Sequence, residues 1–298
     1  MAKREWQSTT ELIDRAIEIL KVENPMTIRQ LFYRLVSVAI IANCLRDYQR
    51  VSKAMTRARE DRRVPYAWIV DRSRASYSSR GWKNLNSLGR VLEQELKTYR
   101  RDYWQDQPNY VEIWCEKDAV TGSIEDIREE YGLTVEAIRG FNSTTNIYTA
   151  ARRLCDQNRD GKKVTIFYLG DWDPSGKDIE RDVTDRLREF GFARDMVHRV
   201  AIFQEDIREF NLPPLRVKDK DPRAGKFKRQ HGNEAVELDA LPPTELRRRL
   251  RAAIEGVIDH EAWDRAKLVE QGQRETCVRY AKVFADMARI SDEPHTTE

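Results

Sequence analysis

The 298-residue chain lacks the patterns typical of disulfide-rich, zinc-binding and membrane-spanning proteins. Its four cysteines are far apart and form no CxxC pair, which is typical of reduced thiols in a cytosolic protein. Its four histidines are also scattered, so their spacing predicts no zinc site. No apolar run approaches the roughly 18 residues of a membrane helix. We therefore expect a cytoplasmic protein without a membrane span or a secretory leader.

Charge is abundant in this chain, and it is distributed unevenly. Charged residues make up 35% of the sequence and hydrophobic residues 40%, which is enough for a core under a highly charged surface. Residues 1–110 carry 21 Lys/Arg and 13 Asp/Glu, whereas the rest of the chain carries 32 and 37. A basic part therefore precedes an acidic part. This asymmetry indicates a polyanion-binding module joined to a module that needs carboxylates.

The N-terminal part has the pattern of three helices and a strand. Apolar residues recur at helical spacing after a capping box at 8–11, again after Thr27, and again over 47–62. The second helix has a predicted buried stripe of Ile28, Leu31, Phe32 and Leu35. The segment YAWIV, residues 66–70, predicts a strand. This order fits a winged-helix or helix-turn-helix-like module.

The third helix and the segment after it are strongly basic, with tyrosine and tryptophan interleaved. A basic run alone is often a solvated helix face, but the charge asymmetry of the chain favours binding to nucleic-acid phosphates. Contacts of this kind give affinity rather than sequence preference. The candidate DNA-binding residues are Arg46, Arg50, Lys53, Arg57, Arg72 and Arg74.

From residue 110 onward, predicted strands alternate with predicted helices. The strands are expected at 110–115, 164–169 and 198–203, and the helices at 118–130, 145–158 and 176–190. This alternation predicts an α/β domain with a mainly parallel sheet. The polar segment 216–233 is expected to be a mobile loop. A further helix is expected within 241–258, after a Pro-Pro break.

The segment GDWDPSGK, residues 170–177, directly follows a predicted strand. A Walker phosphate loop has four residues between its glycines and a serine or threonine after its lysine. Here five residues separate the two glycines and Asp178 follows Lys177, so the segment does not fit that loop. The remaining interpretations are a metal site and an ordinary turn in which an aspartate caps the next helix.

The metal interpretation depends on where the strands end. Asp171 and Asp173 follow one strand, and Glu116 follows another. In an open parallel sheet, functional groups gather past the carboxyl ends of the strands. Closely spaced carboxylates need a neutralising cation, and a set of oxygen ligands suits Mg²⁺. The three residues are therefore candidate magnesium ligands.

The segments CEKDAV (115–120) and GDWDPSG (170–176) together resemble the Toprim pattern of topoisomerases, primases and related nucleases. EKDAV is especially similar to the A subunit of topoisomerase VI and to its relative, the meiotic double-strand-break protein. TIRQLFYRLVS (27–37) resembles the segment that carries the nucleophilic tyrosine of that family, and EAVELDALPP (234–243) resembles a strand near the end of its Toprim domain. The resemblance spans nearly the whole chain, although the chain is shorter than a typical A subunit and Cys115 replaces the more usual valine.

The resemblance implies a winged-helix domain over residues 1–105 and a Toprim domain with C-terminal helices over residues 106–298. It makes Tyr33 the candidate nucleophile and Glu237 a possible additional acid. Tyr33 lies outside the predicted buried stripe and one turn from Arg29, a position from which its phenol oxygen could face a phosphate. The alternative is a tyrosine packed at a domain seam.

The function implied by the resemblance is double-strand DNA cleavage through a phosphotyrosyl intermediate, with Mg²⁺ at the break. In that family the tyrosine of one protomer works with the metal site of the other, which implies a homodimer on duplex DNA. A separate ATPase subunit of the B type and association with a bacterial or archaeal nucleoid stay open. The alternatives are a Toprim nuclease that hydrolyses DNA with metal-activated water, an RNA-directed Toprim enzyme and a DNA-binding regulatory protein.

Overall fold

The computed structural model describes residues 9–70, 81–138 and 144–291, and the chain divides into two compact units. The first unit comprises residues 1–74 and 109–257, and the second comprises residues 75–108 and 258–298. The first unit contains the α/β part with a parallel sheet. The assignment of winged-helix and Toprim domains stays a prediction.

Three helices open the first unit, as predicted. They are α1 (Thr9–Glu23), α2 (Ile28–Ser37) and α3 (Leu45–Glu60). Helix α2 begins with a capping box in which the Thr27 side chain accepts from the Gln30 backbone N–H and the Gln30 side chain accepts from the Thr27 backbone N–H. Two orphan N–H groups of the helix start are thereby satisfied.

The strand predicted over 66–70 is wrong. Residues Tyr66–Trp68 form a 3₁₀ turn, and Ile69 makes only an isolated parallel bridge with Met26. Met26 lies between Pro25 and the cap of α2. A proline and a helix start leave a single residue available for pairing, so no ladder can extend.

The sheet has four parallel strands in the order β2-β1-β3-β4, which confirms the predicted parallel architecture. The strands are β1 (Asn109–Cys115), β2 (Thr134–Ala137), β3 (Lys163–Leu169) and β4 (Val197–Ala201). The short edge strand β2 escaped sequence analysis. The central strands β1 and β3 pair over their whole length, with Cys115 opposite Leu169. Their carboxyl ends therefore lie side by side.

Helices occupy most of the other described segments. They are α4 (Leu85–Lys97), α5 (Asp118–Thr121), α6 (Glu125–Tyr131), α7 (Thr144–Arg159), α8 (Pro174–Glu189), α9 (Asp206–Glu209), α10 (Ala224–His231), α11 (Pro243–Glu255) and α12 (His260–Ser291). The helix predicted over 118–130 is interrupted by a 3₁₀ turn at Gly122–Ile124. Helices α7 and α8 share a buried apolar cluster with Trp114, Ile166 and Tyr168 of the sheet.

The segment 215–236, hereafter the ribbon segment, is not the loop that its polar sequence predicts. It forms an antiparallel pair, β5 (Leu215–Arg216) with β6 (Glu234–Ala235), and encloses α10. Two aromatic contacts hold the helix, since the ring of Trp172 lies 6.3 Å from that of Phe227 and 5.0 Å from that of His231. The segment is therefore ordered by contacts with Trp172, a residue outside it.

The second unit is built mainly from α4 and α12. The rings of Tyr103 and Trp104 both contact Trp263 edge to face, with centroids 4.9 and 5.4 Å apart. The Glu270 carboxylate accepts a hydrogen bond from the backbone N–H of Arg101 at 2.8 Å. Within the described ranges, no helix is long and apolar enough to cross a bilayer.

Candidate active site

The ends of β1 and β3 bring Glu116 and Asp171 together, as the parallel-sheet rule predicts. The backbone N–H of Glu116 donates to the Leu169 carbonyl at 2.8 Å, which extends the ladder by one residue. The backbone N–H of Asp171 then donates to Oε2 of Glu116 at 3.0 Å. This bond fixes one candidate ligand against the segment that carries the other two.

Glu116 is a half-buried carboxylate with like charges around it. Burial raises its pKa, the charges of Asp171 and Asp173 raise it further, and the value reaches about 7. The hydrogen bond from Asp171 and the charge of Lys117 oppose this shift without cancelling it. This group therefore keeps its proton to a higher pH than an ordinary glutamate does.

Asp171 is almost completely buried and is held from two sides. Its Oδ1 accepts from the backbone N–H of Leu238 at 2.7 Å and lies 2.9 Å from Nζ of Lys117. Burial raises the pKa of Asp171, and the positive charge of Lys117 opposes the increase.

Asp173 does what the ordinary-turn interpretation predicts. Its Oδ1 accepts the backbone N–H of Gly176 at 2.7 Å and caps α8, with Pro174 in the first turn. The same carboxylate still contributes to the electrostatics of Glu116. Asp173 therefore both caps α8 and belongs to the acidic cluster.

Gly176 allows this close arrangement. A Cβ at this position would lie 2.3 Å from the Asp171 carbonyl oxygen and 3.1 Å from Oε2 of Glu116. Even an alanine would push the start of α8 away from the Asp171 backbone and the Glu116 carboxylate. The glycine is needed here for close approach, since its φ is not in the left-handed region.

Sequence analysis missed two residues at the centre of the site, Lys117 and Asp239. Nζ of Lys117 lies 2.9 Å from Oδ1 of Asp171, 3.2 Å from Oε2 of Glu237 and 2.9 Å from Oδ2 of Asp239. Asp239 is 1% exposed, and its Oδ1 has no hydrogen-bond partner. Both residues stand in quoted motifs, Lys117 directly after Glu116 and Asp239 two positions after Glu237, and that adjacency was the available signal.

Arg29 connects helix α2 to the same cluster. Its Nε donates to Oε2 of Glu237 at 2.8 Å, its Nη2 also contacts that oxygen, and its Nε lies 3.7 Å from Oδ2 of Asp239. Burial would raise the pKa of Glu237, but the charges of Lys117 and Arg29 lower it overall. Glu237 is therefore held as a carboxylate between two cations.

Tyr33 belongs to this cluster, but the expectation that it lies off the core is wrong. It is 5% exposed, with its ring 5.2 Å from that of Phe32 and the Arg29 guanidinium 5.8 Å from its centroid. Burial raises its pKa, as does the charge of Glu237, and the value reaches about 12 although Arg29 lowers it. Because α2 packs against the turn Leu238–Ala240, a second face of this helix is covered.

The oxygen atoms of the cluster are of the type that a hard cation prefers. In this structure, however, each of the three candidate carboxylates binds a different backbone N–H group. All candidate ligands are carboxylate oxygens, the chemistry Mg²⁺ prefers, and the repulsion felt by Glu116 would be relieved by a cation. Across residues 9–70, 81–138 and 144–291, however, no three acidic, histidine or cysteine side chains are grouped to hold an ion. Lys117 and Arg29 supply the positive charge of the cluster.

The predicted DNA-binding residues of α3 lie along one groove. The groove has a volume of about 450 Å³ and is lined by Arg46, Arg50, Lys53 and Arg57, with Thr9 and Gln49 between them. Helix α3 buries Val51, Met55 and Ala58 on its other face, so its cations face outward. Arg72 and Arg74 lie outside the described residues.

No known family model matches the chain, and no curated protein is significantly similar to it in sequence.

Proposed function

We propose that the protein cleaves double-stranded DNA by magnesium-dependent transesterification, with Tyr33 as nucleophile. One observation carries the proposal: Arg29, whose guanidinium lies against the Tyr33 ring, is ion-paired with Glu237, and Lys117 links Glu237 to the strand-end acid Asp171. Arg29 connects the two parts, because it contacts both the Tyr33 ring and the Glu237 carboxylate. The resemblance to the topoisomerase VI A subunit supports the same assignment.

In the proposed step, Oη of Tyr33 forms a bond to a backbone phosphorus, and the bond from that phosphorus to one sugar oxygen breaks. The phenolic proton passes to a base, and the departing oxygen takes up a proton to become a hydroxyl. Arg29 is placed to stabilise the negative charge that develops beside the tyrosine.

Glu116, Asp171 and Asp173 would hold the magnesium ion, which would stabilise the charge on the phosphate and leaving oxygens. Lys117 keeps Asp171, Glu237 and Asp239 together and limits their repulsion. The basic groove of α3 would bind the backbone of the duplex. Two copies of the chain would cut the two strands, and strand passage would need a separate ATPase subunit.

A second candidate is hydrolysis by a metal-activated water, with Tyr33 in a structural role. The burial of Tyr33 and its raised pKa favour this alternative, because attack requires an exposed and deprotonated phenol. The two candidates share the carboxylates and differ in the fate of the DNA end. They are therefore distinguished by whether protein remains attached to the cut DNA.

The test is plasmid cleavage with Mg²⁺ by the wild type, Tyr33→Phe and Asp171→Asn, stopped with detergent and analysed with and without protease. Tyr48→Phe is the matched control, since its ring also contacts Phe32 at 5.6 Å. We expect protein-linked linear DNA from the wild type and the control only. Free cut DNA that survives Tyr33→Phe but not Asp171→Asn would establish hydrolysis instead. Binding without cleavage by any form would indicate a regulatory protein or a missing subunit.

A further inference from the structure

A pocket of about 350 Å³ lies beside the acidic cluster, between the start of α8 and the ribbon segment. Asp173 and Glu237 line it from the side of the proposed catalytic machinery. Arg216, Lys218 and Asp221 line it from the ribbon segment. The pocket therefore places two cations within the same cavity as two carboxylates of the proposed site.

The ribbon segment is basic as a whole. Residues 215–236 contain seven Lys/Arg and three Asp/Glu. Two of the acids are engaged within the segment, since Asp219 lies 2.5 Å from Nζ of Lys228 and Asp221 lies 3.0 Å from Nε of Arg223. The side chains of Arg216 and Lys218 are exposed. Such a surface attracts a polyanion.

The ribbon segment is fixed directly to the aspartate motif. Trp172, the residue between Asp171 and Asp173, exchanges two backbone hydrogen bonds with Val236, at 2.9 and 3.0 Å. Its 9%-exposed side chain also contacts the ring of Phe227 in α10. The two pocket cations are therefore carried on an element that is hydrogen-bonded to the segment bearing two of the proposed metal ligands.

We propose that Arg216 and Lys218 form a second phosphate-binding site, which holds the backbone phosphate next to the one that is cleaved. The position of the cleaved phosphate rests on the proposed function. The phosphate-binding role of Arg216 and Lys218 rests on the lining of the pocket. A phosphodiester entering the pocket would meet the two cations on one wall and approach Asp173 and Glu237 on the other. Because both contacts are to the backbone, they would increase affinity and fix the register of the strand without selecting a sequence.

The test compares Arg216→Gln/Lys218→Gln with a matched control, Arg159→Gln/Lys163→Gln. The control removes the same charge at the amino end of β3, opposite the site, where Arg159 and Lys163 are exposed. Binding to a short duplex is measured in EDTA over a range of salt concentrations, with Tyr33→Phe in every protein so that no cleavage occurs. For the pocket variant we expect roughly tenfold weaker binding. We also expect the slope of log affinity against log salt concentration to fall by about one to two, because fewer counterions are released. The control should bind as Tyr33→Phe alone does.

The cleavage arm uses the same two double variants with Tyr33 intact, at saturating DNA and with Mg²⁺. We expect the pocket variant to cleave more slowly than the control even when fully bound. A pocket variant that matches the control in affinity, salt dependence and cleavage rate would overturn the phosphate site and leave the proposed function standing. Weakened binding by the pocket variant, in a protein whose wild type never cleaves, would uphold the phosphate site as a DNA contact and indicate a regulatory protein or a missing subunit.

Discussion

Two glutamates on and just after the same strand have opposite surroundings. Glu112 in the middle of β1 is completely buried, and four donor groups bind its carboxylate. Glu116, one residue past the strand, accepts one hydrogen bond from the described part of the chain, from the Asp171 backbone N–H, and has negative charges beside it. Burial alone therefore does not distinguish a structural acid from a candidate catalytic acid. The sign of the neighbouring charges does.

The donors around Glu112 explain why it is a structural residue. Arg153 binds both carboxylate oxygens, at 2.7 and 2.9 Å, and the Tyr110 hydroxyl and the Trp114 indole N–H each donate at 2.9 Å. All of these partners come from β1 itself or from α7. A carboxylate with this many donors fixes a helix to the sheet and has little capacity left for an external ion.

The largest effect on stability is expected from Glu112→Gln. The substitution removes the charge that Arg153 binds, and we expect the free energy of unfolding to fall by about 3 kcal/mol. Urea denaturation followed by circular dichroism measures this loss. Glu116→Gln is the matched control, because it makes the same chemical change a few residues along the chain. A loss at Glu112 no larger than that at Glu116 would contradict the comparison.

A smaller effect is expected from Lys117→Gln. Burial would lower the pKa of Lys117, but the charges of Asp239, Asp171 and Glu237 raise it overall. Removing this cation leaves carboxylates facing one another, and we expect a loss of about 2 kcal/mol in metal-free buffer. Millimolar Mg²⁺ should recover part of that loss, because the carboxylates would then bind the ion more tightly.

Denaturation with and without Mg²⁺ tests this prediction, with Lys177→Gln as control. Among the residues that the structure describes, Lys177 has one ion-pair partner, Glu180 at 2.7 Å, so its loss should cost less than about 1 kcal/mol and should not respond to magnesium. Equal responses of both variants to magnesium would show that the ion acts elsewhere.

The smallest effect concerns Glu116 and pH. Its folded pKa of about 7 exceeds the ordinary value of 4.5, so the folded state binds this proton more tightly than the unfolded state. The resulting stabilisation is complete below pH 4.5 and is lost as the pH rises through 7. We expect the wild type to lose about 1 kcal/mol across this interval, because solvent screening of the half-buried site reduces the roughly 1.4 kcal/mol that each unit of pKa difference would contribute. Glu116→Gln should flatten this part of the profile and be the more stable protein at pH 8.

A wild-type stability profile unchanged by Glu116→Gln would mean that the charges around Glu116 do not repel it. The comparison with Glu112 would then lose its basis. The same samples can be assayed for cleavage, where Glu116→Gln is expected to be inactive. A variant that is more stable but inactive is typical of a residue kept for chemistry at a cost in stability.

Sequence patterns predicted the parallel sheet and the meeting of Glu116 with Asp171, because both follow from strand periodicity and the geometry of parallel strands. They did not predict the burial of Tyr33. The periodicity of α2 identifies one buried face, and the turn Leu238–Ala240 that covers another lies some 200 residues later in the chain. The ribbon segment was misjudged for a related reason, since its order depends on Trp172, outside the segment.

The crowding around Gly176 has a consequence for recognising relatives of this protein. A side chain there would collide with the backbone of Asp171 and approach Glu116. A homologue that keeps both acids in the same arrangement therefore has no alternative to glycine at this position. A search template for distant members should accordingly give this single glycine the same weight as the acids themselves.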